Sequence, residues 1–488
     1  MEFELKFQVP AGAEEALEAR LQRKQAQPLR LRARYFDTPD EALARAGLVL
    51  RLRQEGRAWV QAAKGRGDGG FGREEHEVAV KGGAGAVPDP AMHGAHPLGA
   101  ALRDALSGQE DALRCVYETD ITRLSRMVDT GGTRVEVAFD RGRLLGGGRT
   151  QPVREIEFEL KQGSASAAVE LARTWCEEHG LWLDPLSKSA AARRLARGDG
   201  DIPAVHAEPL AGAGSPSALV AAALDSALAQ VLGNGRELAA GSGGDPHIHQ
   251  LRVGLRRLRT LLREREALGD TTALPPAVEE ALKVLFARLG EHRDCSTLLP
   301  ALQDQLAAAG NPAARWQPPL PDMAQAVREP PFQSALLQLV AHAQLLRESD
   351  TADAKRALKA ARKSVGRRLG KLHREVVDEG RRFVSLEVER RHALRKRLKR
   401  LRYLAEFARP LYRRREVEGY LSALRILQDA LGDYQDAAAG RELFARHSEE
   451  DPRAWFAVGW LASREEELAV RAAEACRRTR RRAEPFWE

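Results

Sequence analysis

Glu155-Ile156-Glu157-Phe158-Glu159-Leu160-Lys161 alternates carboxylates with apolar side chains over seven residues. A period of two is the signature of a strand with one wet and one buried face. Three carboxylates in a row on one face repel each other by several tenths of a kcal/mol. Such a row is tolerated in open solvent or around a bound cation. The same period recurs outward from this stretch. Glu2, Glu4 and Lys6 alternate with Phe3, Leu5 and Phe7, and Arg51 and Arg53 alternate with Leu50 and Leu52. Glu75 and Glu77 flank His76, Glu136 and Asp140 lie two steps either side of Ala138, and Lys64 adds a further base. Glycine-rich turns at 65–72, 82–85 and 146–148 separate the strands, and short helical patterns lie near 11–24, 98–107 and 164–180. Closing such strands into a barrel would set carboxylates and bases across a polar lumen. That lumen suits a polyanion carried with a divalent metal. Carboxylates supply hard oxygen ligands for Mg²⁺ or Mn²⁺, and Arg and Lys neutralise the remaining phosphate charge. A solvated face explains one charged strand; five in one domain favour the lumen.

The pattern changes near residue 200. From Arg197 to Pro216 the chain is rich in Gly, Pro and Ala without apolar period, which reads as a linker. Residues 1–210 hold 30 basic and 32 acidic side chains, whereas 211–488 hold 47 and 37; within 351–415 the count is 23 against 7. This asymmetry points to a second half built to meet an anion. Beyond the linker the period becomes 3.6: Leu251, Leu255, Leu258 and Leu262 form one stripe, Leu358, Val365, Leu369, Leu372 and Val376 a second, and Leu394, Leu398 and Leu401 a third. That is a helical bundle. The chain is therefore expected to be α+β, with residues 1–203 a β-domain, 204–214 a linker and 215–488 all-α.

The helical half repeats itself. His249-x-x-Arg252-x-x-x-Arg256-Arg257-x-Arg259 matches His392-x-x-Arg395-Lys396-x-x-Lys399-Arg400-x-Arg402. Leu289-Gly290-Glu291-His292-Arg293-Asp294 matches Leu431-Gly432-Asp433-Tyr434-Gln435-Asp436. Duplication implies two similar helical units. Offsets of 0, 3, 7 and 10 share one side of a helix, so His249, Arg252, Arg256 and Arg259 form one basic stripe and His392, Arg395, Lys399 and Arg402 its twin. A third helix offers Lys359, Lys363 and Arg367. Basic runs are usually solvated faces, but here the acidic partners are missing and the stripe occurs twice. His247 and His249 have metal-pair spacing, yet no carboxylate or cysteine completes a site.

Composition narrows the field. The 488 residues suggest two to four domains. The net charge is +8, and only 26 residues are aromatic, which is thin for reading unpaired bases by stacking. With no recognisable DNA-binding motif, nucleic acid is not the expected partner. Cys115, Cys176, Cys295 and Cys476 form no CxxC pattern, and their density suits a reducing compartment. No cationic-then-apolar leader is visible, and the longest apolar stretch, 336–346, is too short and polar to span a bilayer. A cytoplasmic protein without membrane association is the expectation.

These motifs carry a resemblance. Glu2-Phe3-Glu4-Leu5-Lys6 resembles the ExExK signature of the CYTH superfamily of triphosphate tunnel enzymes. In order follow Tyr35-Phe36-Asp37-Thr38-Pro39, the Arg51/Arg53…Trp59…Lys64 hairpin, Arg73-Glu74-Glu75-His76-Glu77, Thr119…Arg123, Glu136-Val137-Ala138-Phe139-Asp140-Arg141-Gly142, Glu155–Lys161 and Ser187-Lys188-Ser189. One departure is Ala191, where the family often has a basic residue. The resemblance implies an antiparallel eight-stranded barrel with a triphosphate and one or two Mg²⁺ or Mn²⁺ in its tunnel. Glu2, Glu4, Glu155 and Glu157 would be metal ligands, with Glu75, Glu77, Glu136 and Asp140 in the same network. Lys6, Arg51, Arg53, Arg123 and Lys188 would hold phosphate, and Lys64 would serve catalysis. Residues 215–488 resemble the CHAD domain, whose basic helices bind inorganic polyphosphate. His249, Arg252, Arg256, Arg257, Arg259, Lys359, Lys363, Arg367, His392, Arg395, Lys396, Lys399, Arg400 and Arg402 are the residues expected to do so here. The expected function is metal-dependent triphosphate hydrolysis, inorganic triphosphate first, joined to polyphosphate binding and to association with polyphosphate granules. The alternatives are a catalytically idle polyphosphate-binding protein and an adenylyl cyclase on the same tunnel.

Overall fold

The computed structural model describes residues 2–22, 26–66, 72–81, 85–200, 202–349 and 353–488. Two compact units emerge: residues 1–205 with 232–243 and 327–344, and residues 206–231 with 244–326 and 345–488. The first unit thus takes in two stretches that the sequence reading put wholly in the helical half.

The first unit is built on nine strands among the described residues: β1 (Glu2–Gln8), β2 (Leu29–Asp37), β3 (Val49–Glu55), β4 (Ala58–Arg66), β5 (Gly72–Val80), β6 (Arg114–Thr130), β7 (Thr133–Gly146), β8 (Arg149–Gln162) and β9 (Trp182–Leu183). They form one antiparallel sheet in the order β5-β4-β3-β2-β6-β7-β8-β1-β9. A further short register sets Glu2 opposite Arg73 and Phe3 opposite Gly72, pairing β1 with β5. The ninth strand departs from the expected eight. It is two residues long, too short to show a period, and the Leu183 amide is held by Gln333 Oε1 at 2.9 Å. The glycine-rich turns expected at 65–72 and 82–85 fall largely outside the described residues; that at 146–148 turns β7 into β8, with Gly147 and Gly148 at positive φ.

The apolar strand faces pack on helices α1 (Glu14–Gln22), α2 (Ala42–Arg45), α3 (Pro97–Leu106) and α4 (Ala165–His179). Phe158 meets Phe7 and Trp175 edge-on at 5.6 and 5.7 Å, and α3 presses Leu98, Leu102 and Leu106 onto Leu50, Leu52 and Ala63. A fifth helix, α5 (Lys188–Arg197), lies on the charged face instead, with Ala191 and Ala192 against Ala33, Tyr35 and Tyr117. Ala191, where the resemblance leads one to expect a base, is therefore a packing residue. In the Tyr-Phe-Asp-Thr-Pro stretch, Asp37 accepts from the Thr38, Leu43 and Ala44 amides and fixes α2. Gly142 is required by close approach, because a Cβ there would lie 2.1 Å from the Asp120 carbonyl oxygen.

The remaining helices are α6 (Pro216–Ala240), α7 (Asp245–Leu268), α8 (Pro276–Arg293), α9 (Leu299–Ala308), α10 (Met323–Arg328), α11 (Pro330–Glu348), α12 (Ala354–Gly380), α13 (Val388–Ala408), α14 (Arg414–His447) and α15 (Trp455–Arg482). The leucine stripes read from the sequence are buried on α7, α12 and α13, apart from half-buried Leu358. The sequence reading took 336–346 as the longest apolar stretch and passed over helix α6. It is long and apolar enough to cross a bilayer, but 61% of its apolar window is buried in the protein. Its Leu219, Ala223, Leu224, Ala227 and Val231 are core residues.

Candidate functional site

Strand register gathers the charges of the first unit. Across β8 and β1, Glu155, Glu157 and Glu159 stand opposite Gln8, Lys6 and Glu4. Across β8 and β7, Glu155 and Glu159 stand opposite Asp140 and Glu136, and Asp140 in turn opposes Arg123 of β6. On the other wing Arg51 opposes Ala62, which opposes Glu77, while Lys64 opposes Glu75. Directly opposed residues share a face, so these side chains project to one side of the sheet. The Glu2 side chain lies outside the described residues.

Helix α5 delivers the central cation. Ser187 caps it by accepting from the Ala190 amide, and Lys188 follows in the first turn. Lys188 Nζ lies 2.7 Å from Asp140 and 3.0 Å from Glu155, and it also pairs with Glu157. Arg123 grips both Asp140 oxygens at 2.7 Å and also meets Glu157. Lys6 completes the group, 3.5 Å from Glu155. Burial works against the charges of Lys188, Arg123 and Glu157. The three carboxylates nevertheless raise Lys188 well above its ordinary value, and Lys188 and Arg123 hold Glu157 well below its own.

The other wing forms a second cluster. Lys64 lies 2.6 Å from Glu75, Arg51 bridges Glu75 and Glu77 at 3.1 and 3.2 Å, and Arg53 reaches Glu77 at 3.1 Å. Burial pushes Glu75 up, but Lys64 and Arg51 bring it down to about 2. The buried Nε atoms of Arg51 and Arg53 have no hydrogen-bond partner. Glu136 pairs with Lys161 at 3.3 Å and also acts electrostatically on Arg123. Among the described residues no three His, Cys, Asp or Glu side chains stand as a metal-holding group. The donor chemistry still fits a hard cation: Asp140, Glu155 and Glu157 surround one ammonium with oxygens only. The sequence reading missed Gln8 and Asp184, whose side chains join at 2.8 Å while Gln8 donates to Glu155 at 3.0 Å. The continuing alternation of β1 and the acid four residues before Lys188 were the available signals.

In the second unit a cavity of about 620 Å³ is lined by His249, Arg252, Arg256 and Arg257 of α7 and by Arg395, Lys399 and Arg402 of α13. The sequence reading missed Arg293, Arg409 and His206 on its wall. Arg293 lies in the repeated Leu-Gly element, which was the signal. Arg257 is buried and tied to Glu406 at 3.1 Å. The other expected residues stand outside the lining. Arg259 lies over Phe286, His392 bonds Gln435 at 2.6 Å, and Arg400 is 3.6 Å from Glu264. Lys396, and Lys359, Lys363 and Arg367 of α12, are exposed. His247 accepts from the Gly244 amide at 3.1 Å and so caps α7 rather than forming a metal pair with His249. Burial, then Arg256 and Arg395, push Lys399 down to about 5; burial, then Arg256, bring Arg252 and Arg395 to about 10. The cavity thus gathers half-buried cations that depress one another.

Comparison with known proteins finds two domains in the chain. The CYTH domain model matches residues 1–192 and the CHAD domain model residues 222–445. An inorganic triphosphatase of Haemophilus influenzae is 30% identical over 161 residues, spanning 32% of this chain and 43% of that protein. The chain therefore covers under half the length of that relative. Among solved structures, the CHAD domain from the plant Ricinus communis is 24% identical, with a TM-score of 0.44 over 57% of this chain and 96% of that one. An adenylyl cyclase-like protein of Hippeastrum with a dominant triphosphatase activity is 19% identical, with a TM-score of 0.29 over 40% of this chain and 95% of that one. The chain is a CYTH–CHAD protein, with its CYTH domain first and its CHAD domain second.

Proposed function

We propose that the sheet domain hydrolyses a triphosphate compound, inorganic triphosphate first, with Mg²⁺ or Mn²⁺, and that the helical cavity binds inorganic polyphosphate. The observation that carries the first part is the clustering of Asp140, Glu155 and Glu157 around Lys188 Nζ, on the sheet face that also bears Arg51, Arg53 and Lys64. The reading takes the sheet as a closed eight-strand tunnel, for which the β1–β5 register is the support. The relative from Haemophilus influenzae supports inorganic triphosphate as the substrate.

In this reading Glu2, Glu4, Glu155 and Glu157 hold the metal, with Asp140, Glu136, Glu75 and Glu77 around them. The bound ion would polarise a phosphoryl oxygen and make bound water more acidic. Lys6, Arg51, Arg53, Arg123 and Lys188 hold phosphate oxygens and neutralise the charge that develops as the phosphoryl group transfers. The unpartnered Nε groups of Arg51 and Arg53 are donors ready for this. Lys64 serves catalysis as the free amine: once exchanged from Glu75, its ammonium releases a proton to solvent, and the amine then takes the proton of the attacking water. The water oxygen bonds to the terminal phosphorus, the phosphoanhydride bond breaks, and orthophosphate and diphosphate leave.

Polyphosphate binding rests on Arg252, Arg256, Arg395 and Lys399, which have no acidic partner within 4 Å among the described residues yet line one cavity. A linear polyanion needs only charge at intervals and guanidinium forks to grip its oxygens. The cytoplasm, with its polyphosphate granules, is the location that fits both ligands. The test is to offer the full chain inorganic triphosphate, ATP and thiamine triphosphate with each metal and to quantify the products. Metal-dependent orthophosphate release from triphosphate is expected. No release, or cyclic AMP as the main product from ATP, overturns the reading.

A further inference from the structure

A chain of half-buried polar contacts leads away from Glu155. Its Oε1 accepts from Gln8 Nε2 at 3.0 Å, and the same nitrogen donates to Asp184 Oδ2 at 2.8 Å. Both neighbours are carboxylates, so the amide nitrogen, not the oxygen, must face them. Asp184 is 3% exposed. Its Oδ1 accepts from the Leu186 amide at 2.8 Å and from Arg236 Nε at 3.2 Å. Among the described residues Arg236 is the cation that pairs with it. Arg236 is itself fixed by Glu237 at 2.5 Å, and Glu237 is held by Arg194 at 2.6 Å and Ser242 at 2.7 Å. All of these residues belong to the first compact unit. Arg236 and Glu237, however, lie on α6, inside the stretch matched by the CHAD domain and beyond the stretch matched by the CYTH domain.

We propose that Arg236 is a positioning residue for the metal-holding carboxylate Glu155, acting through Asp184 and Gln8, so that the CHAD-matched helix α6 completes the triphosphate site. This rests on the reading of that site as metal-dependent. A buried carboxylate needs a paired cation. Without Arg236, Asp184 either takes a proton or draws the Gln8 amide fully to itself. In both cases Gln8 stops holding Glu155 in one rotamer. Partners of metal-binding groups are worth roughly tenfold to a hundredfold in metal affinity.

The experiment uses the full chain with Arg236→Met, Arg236→Lys and the double variant Asp184→Asn with Arg236→Met. Mn²⁺ binding is titrated by calorimetry without substrate, and triphosphate hydrolysis is followed against Mn²⁺ concentration. Arg236→Met should weaken Mn²⁺ binding and raise the half-saturating Mn²⁺ concentration about tenfold. The KM for triphosphate at saturating Mn²⁺ should stay as in the unaltered chain. Arg236→Lys should recover most of the affinity. If Arg236→Met does not fold, the double variant, which buries no unpaired charge, carries the measurement, and weakened Mn²⁺ binding is again expected. Unaltered Mn²⁺ affinity in a variant that only melts earlier overturns the proposal. An unaltered chain that binds Mn²⁺ but releases no phosphate overturns the proposed function instead, and the calorimetry still decides the role of Arg236.

Discussion

Lys188 Nζ and Asp140 Oδ2 lie 2.7 Å apart, and Asp140 is 1% exposed. The ammonium sits at the start of α5 with Glu155 and Glu157 on its other sides. Taking one partner from a buried ion group costs about 3–5 kcal/mol, because the remaining charges stay unpaired. Lys188→Met should therefore lower the melting temperature in chelator by many degrees. If the three carboxylates can hold a divalent ion, Mg²⁺ will close much of that gap. A gap that Mg²⁺ leaves unchanged would show that these oxygens do not take the metal.

Glu157→Gln should cut triphosphate turnover by about a hundredfold at saturating metal, the scale of losing a key electrostatic group. Glutamine keeps the shape but loses the charge that Lys188 and Arg123 meet. Turnover is compared with the unaltered chain at several metal concentrations, and equal rates would remove Glu157 from the site.

Glu75 gives a signed pH prediction. Its folded value of about 2 lies below its ordinary 4.5. A carboxyl depressed on folding contributes stability above its unfolded value, and this is lost as pH falls through the folded one. The melting temperature should fall between about pH 4.5 and 2. Glu75→Gln should start lower at pH 7 and show a shallower fall, measured as the difference between the two melting curves.

Lys399 gives a prediction about proton uptake on polyphosphate binding. It faces Arg252 and Arg256 of α7, Arg395 of α13 and Arg293 of α8, and is pushed down to about 5. The free amine is thus neutral at pH 7, and a polyanion would recharge it. Affinity for long-chain polyphosphate should fall as pH rises from 6 to 8, by up to about tenfold per unit. Calorimetry in two buffers of different ionisation heat should find about one proton taken up, and Lys399→Arg should take up none. Absence of uptake in the unaltered chain would refute this.

The cavity also separates two sets of basic residues. Alanine at Arg252, Arg256, Arg395 and Lys399 together should abolish most polyphosphate binding with helix content intact, since Ala is the better helix former. Alanine at Lys359, Lys363 and Arg367, which are exposed on α12, should cost far less. Salt titration and competition with double-stranded DNA of equal charge check the class of ligand. DNA binding as tightly as polyphosphate at physiological salt would displace the assignment.

The strands of the first domain were legible because period two reports which side of a sheet each residue takes, and Glu155, Glu157 and Glu159 do share a face. The basic stripes of α7 and α13 were legible by the same geometry at 3.6 residues per turn. Arg400 escaped because helical phase gives a direction, not a partner: Glu264 draws it away. The two-residue β9 and the apolar core role of α6 left no usable period.

The sequence alone determined that a charged β-domain precedes a duplicated basic helical one, since alternation, helical phase and motif order are local properties of the chain. Tertiary structure decided which charges meet. Lys188 joins Asp140, Glu155 and Glu157 from a helix, not from a strand, and Arg236 reaches Asp184 over a separation of 52 residues. Ion pairing depends on distances of a few ångströms between side chains far apart in sequence, and only the folded backbone sets those distances.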